Sequence, residues 1–197
     1  MGRVTSEPGI ARATATARAE EWLQKLLPRT SEAKALRSLG LLCCERIRAG
    51  IALCGKGSRA PVRLPGIAAF IAMERAETLA VCRSIAMASR ASRRGAMGCE
   101  GWKEVFGSVA LSYARTGDSS TTAALLRAAA QLGLGHPWLA EAERFLLNQQ
   151  NPTGSFGLFA RELALLGNEG SPDAIYLSLS VEILWALAEV AALSSAT

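Results

Sequence analysis

Apolar residues recur along this chain at the three- and four-residue spacing of helices, with no strand-like alternation between the recurrences. In ATARAEEWLQKLL, Trp22, Leu23, Leu26 and Leu27 share one helical face before PRTS breaks the pattern. After a cap at Thr30 or Ser31, Leu36, Leu39, Cys43 and Ile47 repeat at helical spacing, so the first two helices are expected to form a hairpin. The Gly-, Pro- and Arg-containing GKGSRAPVRLPG then interrupts the periodicity. A long helix is predicted over 67–88, closing in the basic SRASRRG, with others over 102–115, 121–132 and 137–149 and a short one over 158–166.

The last helix carries the strongest start signals. Ser171 can cap it, Pro172 suits a first turn whose N–H would be unpaired anyway, and Asp173 favours the positive end of the helix dipole. Tyr176, Leu179, Ile183, Leu187 and Val190 form its expected buried stripe. Pro137 opens the earlier helix in the same manner and turns Trp138, Phe145 and Leu146 inward. Helices joined by short turns predict an all-α array of antiparallel hairpins. The expected organisation is one domain over 16–192, a disordered lead over 1–15 and a tail over 193–197.

Composition agrees with that pattern. The chain of 197 residues is 50% hydrophobic and 20% charged, dominated by Ala and Leu, which favour helix over sheet. That length suits one substantial core. Arg or Glu interrupts every apolar run before it reaches the ~18 residues of a membrane helix. The opening residues lack the apolar centre of a secretion signal, so a cytoplasmic protein without membrane association is expected. ARATATARA is somewhat like a basic transit peptide, although a lead-in to the first helix is the plainer reading.

The formal net charge of +5 is unevenly spread. Residues 1–99 carry 17 Lys and Arg against 7 acids, whereas residues 100–197 carry 5 against 10. Such a split either steers an anionic partner to the first half or lets the two halves neutralise one another. The five cysteines, Cys43, Cys44, Cys54, Cys82 and Cys99, show no C-x-x-C spacing, and His136 is the only histidine. Buried thiols rather than a zinc site are expected, and no metal or cofactor is implied.

Several short stretches invite a chemical reading. GIALCGKGS nearly spells a phosphate-binding loop, but Gly57 stands at its Ser/Thr position and a helix, not a strand, precedes it; a cationic loop is the simpler account. RTGDSSTT places Asp118, Ser119, Ser120 and Thr121 between two helices, where capping is the economical role. In a functional reading, Asp118 is a base, Tyr113 a proton donor and Arg115 a substrate contact at the same helix ends. His136 precedes a helix-opening Pro and suits a cap, while its imidazole is the one group of ordinary pKa near neutrality. Glu74 and Glu77, with Arg75 and Arg83 nearby, read as a solvated ion-pair face.

The stretch AERFLLNQQNPTGSFG resembles the QW-type repeat of terpene-cyclase and protein-prenyltransferase α/α toroids. The matching positions are Phe145, Leu146, Gln150, Gly154 and Phe156, followed by Gly157; Thr153 replaces the family's usual acid and Phe156 its usual Trp. The resemblance covers roughly residues 120–192, has no second clean copy, and extends to short actinobacterial proteins with similar repeats. It implies a partial or small toroid of about seven or eight helices at ~10–14 residues each. An open end of such an array needs a cap or a partner, so a homodimer is expected. In this reading Gln150, Gly154 and Phe156 hold the repeat together rather than do chemistry.

The family's catalytic equipment is missing. Asp118 and Asp173 are the only Asp residues, so neither an acidic D-x-D-D motif nor a magnesium-binding Asp cluster is present. By fold analogy the toroid implies a metal-independent, cyclase-like tailoring protein that folds a flexible peptide or other natural product for ring closure. Arg115, Phe156 and Trp185 would line its pocket. The alternative is a noncatalytic helical module that takes an acidic protein or leader peptide on its basic first half. Nucleic-acid binding has only net charge in its favour, without a basic helix interleaved with aromatics.

Overall fold

The computed structural model describes residues 8–51, 99–131, 133–157 and 172–195. These residues form six helices: α1 (Pro8–Lys25), α2 (Ser31–Ala49), α3 (Cys99–Thr116), α4 (Ser119–Gln131), α5 (Pro137–Asn148) and α6 (Pro172–Ser195). Among the described residues there is no strand, only an isolated antiparallel bridge between Gln150 and Phe156. The protein is all-α. The helices expected over 67–88 and 158–166, the loop around Gly57, the Glu74/Glu77 face and the Ser171 cap lie outside the described residues.

The architecture is organised around α6, which packs chiefly against α2 and α4 and also touches α1 and α5. From Val181 to Ala191 every residue except Glu182 is buried, so its apolar surface runs around the whole helix instead of along one stripe. The expected stripe is therefore too narrow: Tyr176 and Leu179 are only half-buried, while Leu184, Trp185, Ala186 and Ala188 join the core. A helix with neighbours on several sides has no solvent face to reserve for polar residues. Tyr176–Ser195 is also long and apolar enough to cross a membrane, but it packs against α1, α2, α4 and α5. Ala123, Ala128, Ala129 and Ala130 are buried on α4, which packs against α3, α5 and α6.

Local signals set the helix ends. Thr30 caps α2, its hydroxyl accepting the Ala33 N–H at 3.1 Å. Arg37 of α2 donates to the Leu23 and Gln24 carbonyls at 2.7 and 3.2 Å, satisfying acceptors exposed by the end of α1. This tie and the packing of α1 on α2 form the first helix pair. Trp22, Leu23 and Leu26 enter the core as their spacing predicts, but Leu27, two residues past the helix end at Lys25, is 91% exposed.

The N-terminal boundary differs from the expected one. Residues 8–15 are helical rather than disordered, with Ala15 buried and the Arg12 guanidinium gripping Glu143 of α5 at 2.5 and 3.0 Å. No local periodicity announces this turn of helix. It is held by a charge 131 residues away, which a reading of neighbouring residues does not contain.

Candidate functional site

The α3–α4 junction holds three of the proposed chemical residues, of which the Asp118 side chain is employed structurally. Asp118 accepts the Thr121 N–H at its Oδ1 (2.9 Å), which caps α4, and the Thr121 hydroxyl at its Oδ2 (2.7 Å), so both carboxylate oxygens are engaged at the helix start. Its carbonyl accepts the Thr122 hydroxyl at 2.6 Å. Ser120 adds a 2.6 Å hydrogen bond to Glu182, tying the first turn of α4 to α6. Tyr113 meets Asp118 through the backbone, its carbonyl accepting the Asp118 N–H at 3.0 Å, while its side chain is exposed. Arg115 is exposed in the last turn of α3, one residue before the helix end. The economical capping role of the RTGDSSTT stretch is the one the contacts display.

His136 occupies the N-cap position of α5 in extended conformation, yet its side chain makes no capping hydrogen bond. Its Nδ1 is buried without a hydrogen-bond partner, as is Nε1 of the buried Trp138 two residues later. The Trp138 ring stacks on Phe106 of α3 with centroids 6.0 Å apart. No contact joins His136 to Asp118 or Tyr113, so these three residues do not assemble into an acid–base set through any hydrogen bond of their side chains.

Phe156 and Trp185, expected to line a substrate pocket, belong to the closed core instead, with 0% and 1% exposure. Phe156 is anchored by its own N–H, which donates to Ser180 Oγ of α6 at 2.9 Å. Trp185 lies between two buried charges. The Arg127 guanidinium of α4 sits 4.6 Å above its ring, and its Nε1 donates to Glu189 at 3.1 Å. A desolvated cation–π contact of this kind contributes about 2 kcal/mol. Arg127, Trp185 and Glu189 thus place polar chemistry within the α4–α6 contact, where it orients the two helices. The signals that announce this arrangement are an Arg alone in the apolar AALLRAAAQ and the four-residue spacing of Trp185 and Glu189 within the apolar ILWALAEVAAL.

The QQNPTGSFG turn is largely buried and held by hydrogen bonds within itself and to neighbouring helices. Within it, Asn151 N–H donates to the Ser155 carbonyl at 2.8 Å, Asn151 Nδ2 to Ser155 Oγ at 3.0 Å, and Gly154 N–H to the Asn151 carbonyl at 3.0 Å. Gln150 Nε2 bridges outward to the Ala15 carbonyl at 2.8 Å and inward to the Gly154 carbonyl at 3.0 Å. Arg18 of α1 donates back to the Asn151 and Pro152 carbonyls at 3.0 and 3.3 Å. Gly154, with φ +103°, sits so close to α1 that a Cβ there would lie 2.2 Å from the Arg18 carbonyl oxygen. The turn therefore joins α5 to α1 through Gln150 and Gly154, and to α6 through Phe156. The structural role expected for these residues takes this form, with α1 as an additional partner that the repeat pattern does not indicate.

The described basic residues of the first half are largely spent on internal contacts. Arg12 binds Glu143, Arg18 holds the turn, Arg37 caps α1, Arg48 pairs with Glu20, and Lys25 pairs with Glu21 at 2.6 Å. The Glu20 carboxylate, through its hydrogen bond above all, raises the Arg48 pKa, and the Lys25 hydrogen bond and charge lower that of Glu21. Among the described ion pairs, Arg12–Glu143 links the basic first half to the acidic second half. Cys43 and Cys44 are buried free thiols, and burial pushes the Cys44 pKa up to about 12, which keeps it protonated and unreactive near neutrality. Among the described residues no three His, Cys, Asp or Glu side chains converge as metal ligands. Comparison with protein-family models, curated proteins and solved structures finds no match to this chain.

Proposed function

We propose that this chain is a noncatalytic helical interaction module that takes an acidic protein segment or leader peptide on its basic first half. The observation that carries the reading is the employment of the candidate chemical residues: Asp118 caps a helix through Oδ1 and holds the Thr121 hydroxyl through Oδ2, while Phe156 and Trp185 are closed inside the core. Ring closure of a flexible substrate by a metal-independent cyclase would need another set of groups. The toroid-like order of helix pairs remains part of the proposal, supported by consecutive helices that pack together and by the Gln150–Phe156 turn that joins three of them.

Much of the basic charge of the first half is concentrated in one stretch of the sequence. Residues 52–98 carry 8 Lys and Arg against 2 acids, and Arg29 and Lys34 are exposed at the start of the second helix. A surplus of this kind attracts acidic chains over a screening length of about 10 Å at 0.1 M salt.

The test is fluorescence anisotropy with a labelled poly-glutamate peptide, a neutral peptide of equal length and a DNA duplex. Preferential binding of the acidic peptide, weakened by salt and by the triple change Arg90→Glu, Arg93→Glu and Arg94→Glu, is the expected outcome. Equal affinity for the acidic and neutral peptides refutes the module. Tighter binding of the duplex refutes the protein-partner assignment.

A further inference from the structure

We draw no further inference here: the strongest candidate, the N-terminus of α5 where His136 Nδ1 and Trp138 Nε1 are buried without hydrogen-bond partners, carries nothing because the Trp138 indole lies against Gly107 of α3 and no contact directs either nitrogen toward a common ligand position.

Discussion

Replacing Gly154 with Ala tests whether the 149–157 turn is the joint that fixes α1. Two costs are separable. A side chain at φ +103° is strained by about 1–2 kcal/mol, whatever the space around it. The added Cβ would also stand 2.2 Å from the Arg18 carbonyl oxygen and 2.8 Å from its carbon, both backbone atoms that cannot rotate aside. Either α1 or the turn must therefore move. That movement strains the Gln150 bond to the Ala15 carbonyl and the Arg18 bonds to the turn, worth about 1 kcal/mol each. Together these give a loss of about 3–5 kcal/mol. At roughly 2–4 °C per kcal/mol for a chain of this size, the melting temperature falls by about 10 °C.

The control is Gly117→Ala, at φ +82° with no atom within 4 Å of the added Cβ, which isolates the conformational strain. Urea unfolding followed by circular dichroism gives both free energies. Gly154→Ala should cost at least about 2 kcal/mol more than Gly117→Ala, a difference reflecting the close approach to α1. Equal losses in the two variants would show that α1 does not rest on the turn, and the three-way joint would have to be abandoned.

Four further outcomes are expected. Glu143→Ala should cost about 3–5 kcal/mol by leaving the largely buried Arg12 charge uncompensated, and the double variant with Arg12→Ala should lose less than the sum of the singles; additivity in chemical denaturation would refute the pairing. Asp118→Ala should destabilise by about 1 kcal/mol and Asp118→Ser should restore most of it, because a serine hydroxyl also caps a helix; a stability unchanged in both would remove the capping role. The folded Cys44 thiol titrates at about 12 and the unfolded one near 9, so in this range the unfolded state releases its proton first and stability falls as pH rises, by up to about 1.4 kcal/mol per pH unit. A Cys44→Ala variant should show a shallower alkaline slope in pH-dependent unfolding, and an unchanged slope would contradict the assignment. Leu27→Ser should alter stability by less than about 0.5 kcal/mol, whereas Leu23→Ala should cost about 2–5 kcal/mol; comparable melting shifts would overturn the assigned end of α1.

Local chemistry accounts for what could be read from the chain. Thr30 and Asp118 announce helix starts because a short oxygen-bearing side chain reaches only its own first turn, and Pro137 opens α5 for an equally local reason. The Gln150–Phe156 turn was legible as a structural motif since Pro, Gly and an amide define a tight connection whatever surrounds it. The candidate site was legible only as a set of residue types. Whether Asp118 is a base or a cap, and whether Trp185 lines a pocket or fills a core, depends on atoms supplied by distant segments.

The sequence by itself determined the all-α class, most helix boundaries and the burial of Leu39, Cys43 and Ile47 on α2, since these follow from interactions within a few residues. Only the tertiary structure decided that α6 is surrounded on several sides, that helix extends back to Pro8, and that Phe156 and Trp185 are closed to solvent. The physical reason is separation along the chain. Arg12 meets Glu143 across 131 residues and Phe156 meets Ser180 across 24, and contacts of that span leave no periodicity for a sequence to display.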